Sequence, residues 1–376
     1  MRILCAPDSF KESINAADAA RAMALGVGDA GFTADACPIA DGGEGSLDTL
    51  MCAMGGEICT ATVVGPLGEP ITARYGIAPG NIGIVELAEA SGLTLVPRGL
   101  RNPARTTTFG TGQLIRLAAD HGCNEVLVCI GGSATVDGGT GPAQALGAVF
   151  FGAGGQVITS PMTGGDLAGL TRVQPPDAQG LPTIRIACDV TNPLCGPHGA
   201  AVVYGPQKGA TPEQVQQLDM GLAHLASLCG VEPATPGFGA AGGAAIGLVA
   251  LCGGRLERGI ELVLDAVGFQ QRCRLADLVL TGEGCLDEQS LSGKASLGVA
   301  RAAAKCGVST IAIVGKTGNG AAACVGAARG QLRECVSLSE RYGEDRSMRE
   351  PAVLLRTAAR DVALRFSTEP HSRRAE

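Results

Sequence analysis

The chain begins and ends on one rhythm, a short apolar run, a polar turn rich in glycine and acid, then an alanine-rich stretch. This repetition constrains the fold more than any other feature. At the front, residues 2–6 lead into PDSFKES and INAADAARAMALGVGDAG, and residues 37–40 lead into DGGEG and SLDTLMCAMGG. Ser13 reads as the N-cap of the first helix, with Gly26 and Gly31 closing it. At the back, apolar runs at 277–281, 310–314 and about 334–338 are separated by further Ala-rich segments. Such alternation predicts parallel strands with helices on both faces. Two strands at the front and three at the back suit a doubly wound, flavodoxin-like sheet, whose ligands gather outside the carboxyl ends of the strands.

The middle of the chain breaks the rhythm, because strand-like runs at 58–64, 71–76 and 82–87 crowd together before any helical pattern. The expected organisation is therefore a discontinuous flavodoxin-like domain, residues 1–66 and 257–376, enclosing a mixed α/β domain, residues 67–256. A length of 376 residues fits two cores better than one. The clearest helix of the middle is TPEQVQQLDMGLAHLASLCG, with Thr211 as cap, Pro212 in the first turn and Glu213 at the positive helix end.

Charge and cysteine usage exclude several partners and compartments. A formal net charge of −7 without a basic block leaves no electrostatic footprint for nucleic acid or an anionic membrane, so a small molecule is the expected partner. The 15 cysteines form no CxxC pair and read as reduced, buried thiols of a cytoplasmic protein. The opening apolar run stops at Pro7 and Asp8, unlike a secretory signal. Residues 237–254 are uncharged, but seven are glycine, which suits a loop followed by a buried helix rather than a membrane span.

Lysine is the most telling residue type. Only 5 of 29 basic residues are Lys, and four stand in turns of small residues: Lys11, Lys208, Lys294 and Lys316. A compact ammonium suits phosphate oxygens, and plain solvated turns are the alternative. GKT at 315–317 is not a P-loop, since position 310 is Thr where that motif needs Gly, and the GK of LSGKAS has Glu288 there. Glycine-rich segments at 41–45, 131–139 and 281–284 read as strand-to-helix turns whose N–H groups could face an anion. They also carry Asp41, Glu44, Asp137 and Glu283, and carboxylates beside phosphate call for a bridging Mg²⁺. Asp189 follows the apolar run 183–188, with Asn192 and Lys208 downstream, and reads as general base, metal group or cap. His198 has no second histidine nearby, and His121, His224 and His371 read as surface residues. Nucleophile-elbow, HExxH and GxGxxG patterns are missing, which disfavours hydrolase and dehydrogenase chemistry.

In chain order APDSFKES, ADGGEGSLDTL, VVGPLGEP, EASGLTLVP, RNPARTTTFGTGQLI, GGSATVDGG, ACDVTNPLCGPHGAAVVYGPQKGATP, GAAGGAAIG and LTGEGCLDEQSLSGK resemble the type I bacterial glycerate kinases over about residues 1–315. The resemblance implies ATP- and Mg²⁺-dependent phosphorylation of D-glycerate, to the 2-phosphate rather than the 3-phosphate, at a site between two domains. On the matching positions we expect Lys11, Asp189 and Lys208 to be catalytic, with Asp189 as first choice for the base and Asp8 as second. Asp8, Ser9, Arg105, Ser133 and Asn192 would bind glycerate. Gly42, Gly43, Gly282, Gly284 and Lys294 would meet the nucleotide, and Asp41, Glu44, Glu283 and Asp287 the metal. Two departures stand out: Val136 replaces a usual Asn, and VGKTG replaces a turn of small residues. For Lys316 the plain turn reading is carried forward. The alternatives are a kinase of another small hydroxy acid, which a substrate panel separates, and a silent metabolite sensor, which would carry an output module not seen here. A homodimer is left open, since residues 351–366 form an amphipathic segment that suits either its own domain or a partner.

Overall fold

The computed structural model describes residues 1–288, 290, 295–326 and 331–369. The chain divides into two compact units, one of Met1–Asp41, Asp48–Ala53 and Ile260–Glu376, the other of Gly42–Leu47 and Met54–Gly259. Strand Glu57–Val64, expected in the first domain, belongs to the sheet of the second unit because it pairs along its length with Pro70–Ala78.

The first unit carries a five-stranded sheet in the order Glu334–Ser337, Ser309–Val314, Leu278–Gly282, Arg2–Pro7, Thr33–Ala36, parallel throughout. In chain order this is 2-1-3-4-5, the flavodoxin-like arrangement. Parallel strands covered on both faces must be apolar almost throughout, which explains runs such as ILCA and IAIV. Ile311 and Ile313 join the core under helices Ala16–Asp29 and Pro351–Thr368, while Ala312 and Val314 join the opposite core with Leu297 and Ala300. The amphipathic C-terminal segment packs on its own unit, burying Leu354, Leu355, Val362 and Phe366. Each such side chain contributes about 1.5–3 kcal/mol.

Three local expectations shift in this unit. The second strand is Thr33–Ala36 rather than 37–40, although Cys37 and Ile39 still donate to Cys5 O and Pro7 O. The first helix is capped by Asn15, whose side chain accepts from Asp18 N at 2.8 Å, because Ser13 is used in the turn between Phe10 and Ile14. Gly26 does not end that helix. It lies where a Cβ would come within 2.0 Å of Arg356 O, so it permits the close packing of the C-terminal helix.

The second unit has a mixed sheet in the order Arg255–Glu257, Thr183–Ala187, Glu125–Cys129, Ile82–Glu86, Pro70–Ala78, Glu57–Val64. The first four are parallel and the last two antiparallel. Arg185 bonds Glu257 at 2.7 and 2.8 Å and Glu125 at 3.2 Å, which ties its strand to both neighbours. Helix Pro212–Cys229 has the expected Thr211 cap, extended to a capping box by Gln214, and ends at Gly230 with φ 65°. Residues 237–254 form a loop and short buried helical turns, and no helix among the described residues is long and apolar enough to cross a membrane. Cysteines such as Cys5, Cys37 and Cys123 are buried, but Cys52 is exposed.

Candidate active site

In the first unit the strand order reverses at Arg2–Pro7, which lies between Thr33–Ala36 and Leu278–Gly282. Side chains that follow the two central strands meet beyond their carboxyl ends, where ligands of such sheets gather. Asp8 follows Pro7, Glu283 follows Gly282, and Asp8 N donates to Gly282 O at 2.8 Å. They open a cavity of about 310 Å³ whose walls include Asp8, Ser9, Lys11, Asp41, Glu283 and Lys316.

The electrostatics of this cavity are acidic. Burial, with Asp41 and Glu283 nearby, pushes the Asp8 carboxyl up to about 8 against the pull of the Ser9 N–H and Lys11. Ser9 N donates to Asp8 Oδ1 at 2.6 Å. Glu283 is buried, and Ser290 Oγ lies 3.4 Å from its Oε2. Lys11 is exposed beside Glu12, whose φ of 64° marks a tight turn between Phe10 and Ile14.

The segment 281–284 is not a strand-to-helix turn. It continues into Cys285–Leu286, which pairs in parallel with Lys316–Thr317. Gly282 is required by packing, since a Cβ there would sit 2.1 Å from Ile313 O, whereas Gly284 is less crowded, with Lys11 N at 3.3 Å. Asp287 is absent from the cavity wall and forms a reciprocal turn with Ser290, each contact at 3.3 Å. Lys294 and His371 lie outside the described residues.

The second unit holds the other expected groups. Lys208 is only 3% exposed, and its Nζ donates to Ser133 Oγ and Thr135 O, each at 2.7 Å. Burial pushes this ammonium down to about 7, opposed by Asp137. Asp137 accepts from Thr108 N at 2.7 Å, Thr108 Oγ1 at 2.5 Å and Gly139 N at 3.2 Å, while burial raises its carboxyl. The loop 131–139 is held along its length, with Ala134 N on Ser91 O and Thr106 Oγ1 on Ala134 O. Gly242 presses on it from the glycine-rich loop that follows, where a Cβ would lie 1.9 Å from Thr135 O. Val136 is fully buried there.

The DGGEG loop was expected to offer its amides to an outside anion, but the protein fills part of that role itself. The nearly buried Glu86 accepts Gly45 N at 2.9 Å and Leu47 N at 3.0 Å, at the start of helix Ser46–Met54. Gly42 and Gly43 serve close packing: a Cβ on Gly42 would lie 2.8 Å from that of Ala187, and one on Gly131 2.7 Å from Gly43 Cα. Glu44 is exposed, with its carboxylate against Gly132. Sequence reading missed Glu86, although an acid closing the apolar run IGIVE stands at a strand's carboxyl end as Asp8 and Glu283 do.

Asp189 is exposed and its Oδ1 accepts Gly259 N at 2.9 Å, a contact of the capping kind at a residue where a helix begins. Asn192 spans its loop, donating to His198 O at 2.9 Å and accepting from Tyr204 OH at 2.8 Å. Arg105 is exposed. The structure thus brings Asp8, Ser9, Lys11, Asp41 and Glu283 together in one unit and Ser133 with Lys208 in the other. His224, expected at the surface, is half-buried and bonded to Leu170 O at 2.7 Å.

The fold and this acid- and lysine-lined cavity define an α/β enzyme of the doubly wound class. Residues 3–367 match the model of the glycerate kinase family. A glycerate kinase of Halalkalibacterium halodurans is 43% identical, covering 96% of this chain and 97% of that relative. A glycerate 2-kinase of Escherichia coli is 42% identical, covering 84% of this chain and 85% of the relative. The crystal structure of a putative glycerate kinase 2 from Salmonella typhimurium superposes with a TM-score of 0.83 at 38% identity, covering 98% of each chain. The chain belongs to the glycerate kinase family and is an enzyme of that family, a phosphotransferase with an alcohol group as acceptor.

Proposed function

We propose that this enzyme transfers the terminal phosphoryl group of ATP to the 2-hydroxyl of D-glycerate with Mg²⁺. The observation that carries the reading is the switch-point cavity, where Lys11 stands beside Asp8, Asp41 and Glu283. The printed name of the E. coli relative, a glycerate 2-kinase, favours the 2-phosphate.

The donor set fits a divalent cation. Among the described residues five carboxylates and two lysines line the cavity, an acidic wall that disfavours phosphate until a cation offsets it. Among the described residues no three His, Cys, Asp or Glu side chains form a closed metal cage. Mg²⁺ rarely uses one, taking one or two carboxylates and completing its shell with water and phosphate oxygens. Asp41 and Glu283 would hold it, and when bound it neutralises charge on the phosphates.

Lys11 neutralises charge developing on the transferred group, and its exposure lets the ammonium follow the phosphate. We move the base from Asp189 to Asp8. Asp8 borders the cavity, and its carboxyl, raised by burial and by neighbouring carboxylates, is in its ionised form a stronger proton acceptor than an ordinary aspartate, whereas Asp189 Oδ1 already accepts Gly259 N. Asp8→Asn is expected to lower kcat at least about 100-fold, and Asp189→Asn to stay within a few-fold of the parent enzyme. The reverse order would return the base to Asp189. Phosphorus NMR of the product distinguishes 2- from 3-phosphoglycerate, and a coupled assay with D-glycerate, L-glycerate, lactate and tartronate tests the acceptor.

A further inference from the structure

The GKT turn at 315–317 has no part in the mechanism above. Its lysine nevertheless borders the cavity that Lys11 borders. The backbone at this point is fixed from several sides: Gly315 N donates to Glu283 O and Lys316 N to Gly284 O, each at 3.0 Å, and Ser339 N donates to Gly315 O at 2.9 Å. Gly315 cannot be larger, because a Cβ would lie 2.5 Å from Gly284 O. Thr317 Oγ1 is held by Glu340. The Lys316 side chain, by contrast, is 57% exposed, and its Nζ lies 3.8 Å from Glu344 Oε1, itself 74% exposed. That spacing is too long for a hydrogen bond, and an exposed pair of this kind contributes little.

A lysine on a fixed backbone, whose ion-pair partner among the described residues is a loose and solvated acid, is poised to exchange that acid for a stronger anion. Among the described residues both cationic side chains of this cavity are lysines, although the chain has 24 arginines. We propose that Lys316 is a phosphate-contacting residue of the nucleotide site, that Glu344 occupies its ammonium in the unliganded enzyme, and that nucleotide phosphate displaces Glu344. The proposal rests on the ATP reading above. It assigns to this chain a cation that the family resemblance does not supply, since small residues are usual in that turn.

Calorimetric titration of the full chain with ADP in the presence of Mg²⁺, and with adenosine, tests it. For Lys316→Ala the ADP dissociation constant and the KM for ATP should both rise about tenfold or more. Adenosine binding, the KM for D-glycerate and the melting temperature should not change, because the side chain is exposed and touches no core. Lys316→Arg should recover part of the ADP affinity, and Glu344→Gln should leave it equal or tighten it. ADP binding by Lys316→Ala within twofold of the parent would overturn the role of Lys316, as would a defect confined to the KM for D-glycerate. Failure of the parent enzyme itself to bind ADP would instead overturn the nucleotide reading, and the role of Lys316 with it.

Discussion

Lys11 and Lys208 come from turns of similar composition, SFKES and PQKGA, yet the fold gives them opposite surroundings. Lys11 is exposed on a cavity wall among carboxylates. Lys208 is buried, with two loop acceptors at 2.7 Å. An ammonium in solvent can follow a moving phosphate, whereas one sealed under a loop acts by holding that loop in shape. On the proposed function the same residue type would therefore serve charge neutralisation in one unit and positioning in the other.

The sharpest way to break this comparison is to truncate both. Lys11→Ala should lose about 100-fold or more in kcat/KM with an unchanged melting temperature, the cost of a removed electrostatic group. Lys208→Ala should lose about 3 kcal/mol of stability, from the cavity and from two buried acceptors left unpaired. Equal losses of stability in the two variants would remove the distinction.

A pH series sharpens it further. The Lys208 amine sits at about 7 in the folded protein, below its ordinary value, so between that point and the ordinary lysine range the unfolded chain binds more protons than the native one. Its contribution to stability should therefore rise with pH across that window, and the neutral amine still has two N–H donors for Ser133 and Thr135. Lys208→Met should flatten the rise, as measured by denaturant titration of both proteins at pH 6 to 10. An unchanged slope would mean that the amine is not held neutral.

Smaller effects concern the caps. Asp189→Ala should cost about 1 kcal/mol, and Thr211→Ala a similar amount, with turnover nearly normal in both. A large fall in kcat for the Asp189 variant alone would restore its catalytic assignment.

Much of the fold was legible because parallel strands buried on both faces must be apolar, and the acids that interrupt them mark the carboxyl ends. Glu283 was picked out in a glycine-rich turn of this kind and Asp8 through the family resemblance, and the same logic applied to Glu86, whose carboxylate serves the N–H groups of Gly45 and Leu47. The reasons for individual glycines were not legible. Gly26, Gly42 and Gly242 look like turn residues in the sequence, but Gly26 allows two helices to touch, Gly42 lets Ala187 approach, and Gly242 lets one loop lie on another.

The sequence by itself determined the alternation of strands and helices, the discontinuous parallel sheet and the family, since these rest on local periodicity and on motifs in chain order. Tertiary structure alone decided which polar residues face a cavity and which are consumed inside the protein. Lys208 with Ser133, Asp189 with Gly259, and Glu86 with Gly45 pair residues 75, 70 and 41 positions apart. No local pattern records such pairings. They arise because a buried donor or acceptor must be matched by whatever group the folded chain brings within about 3 Å.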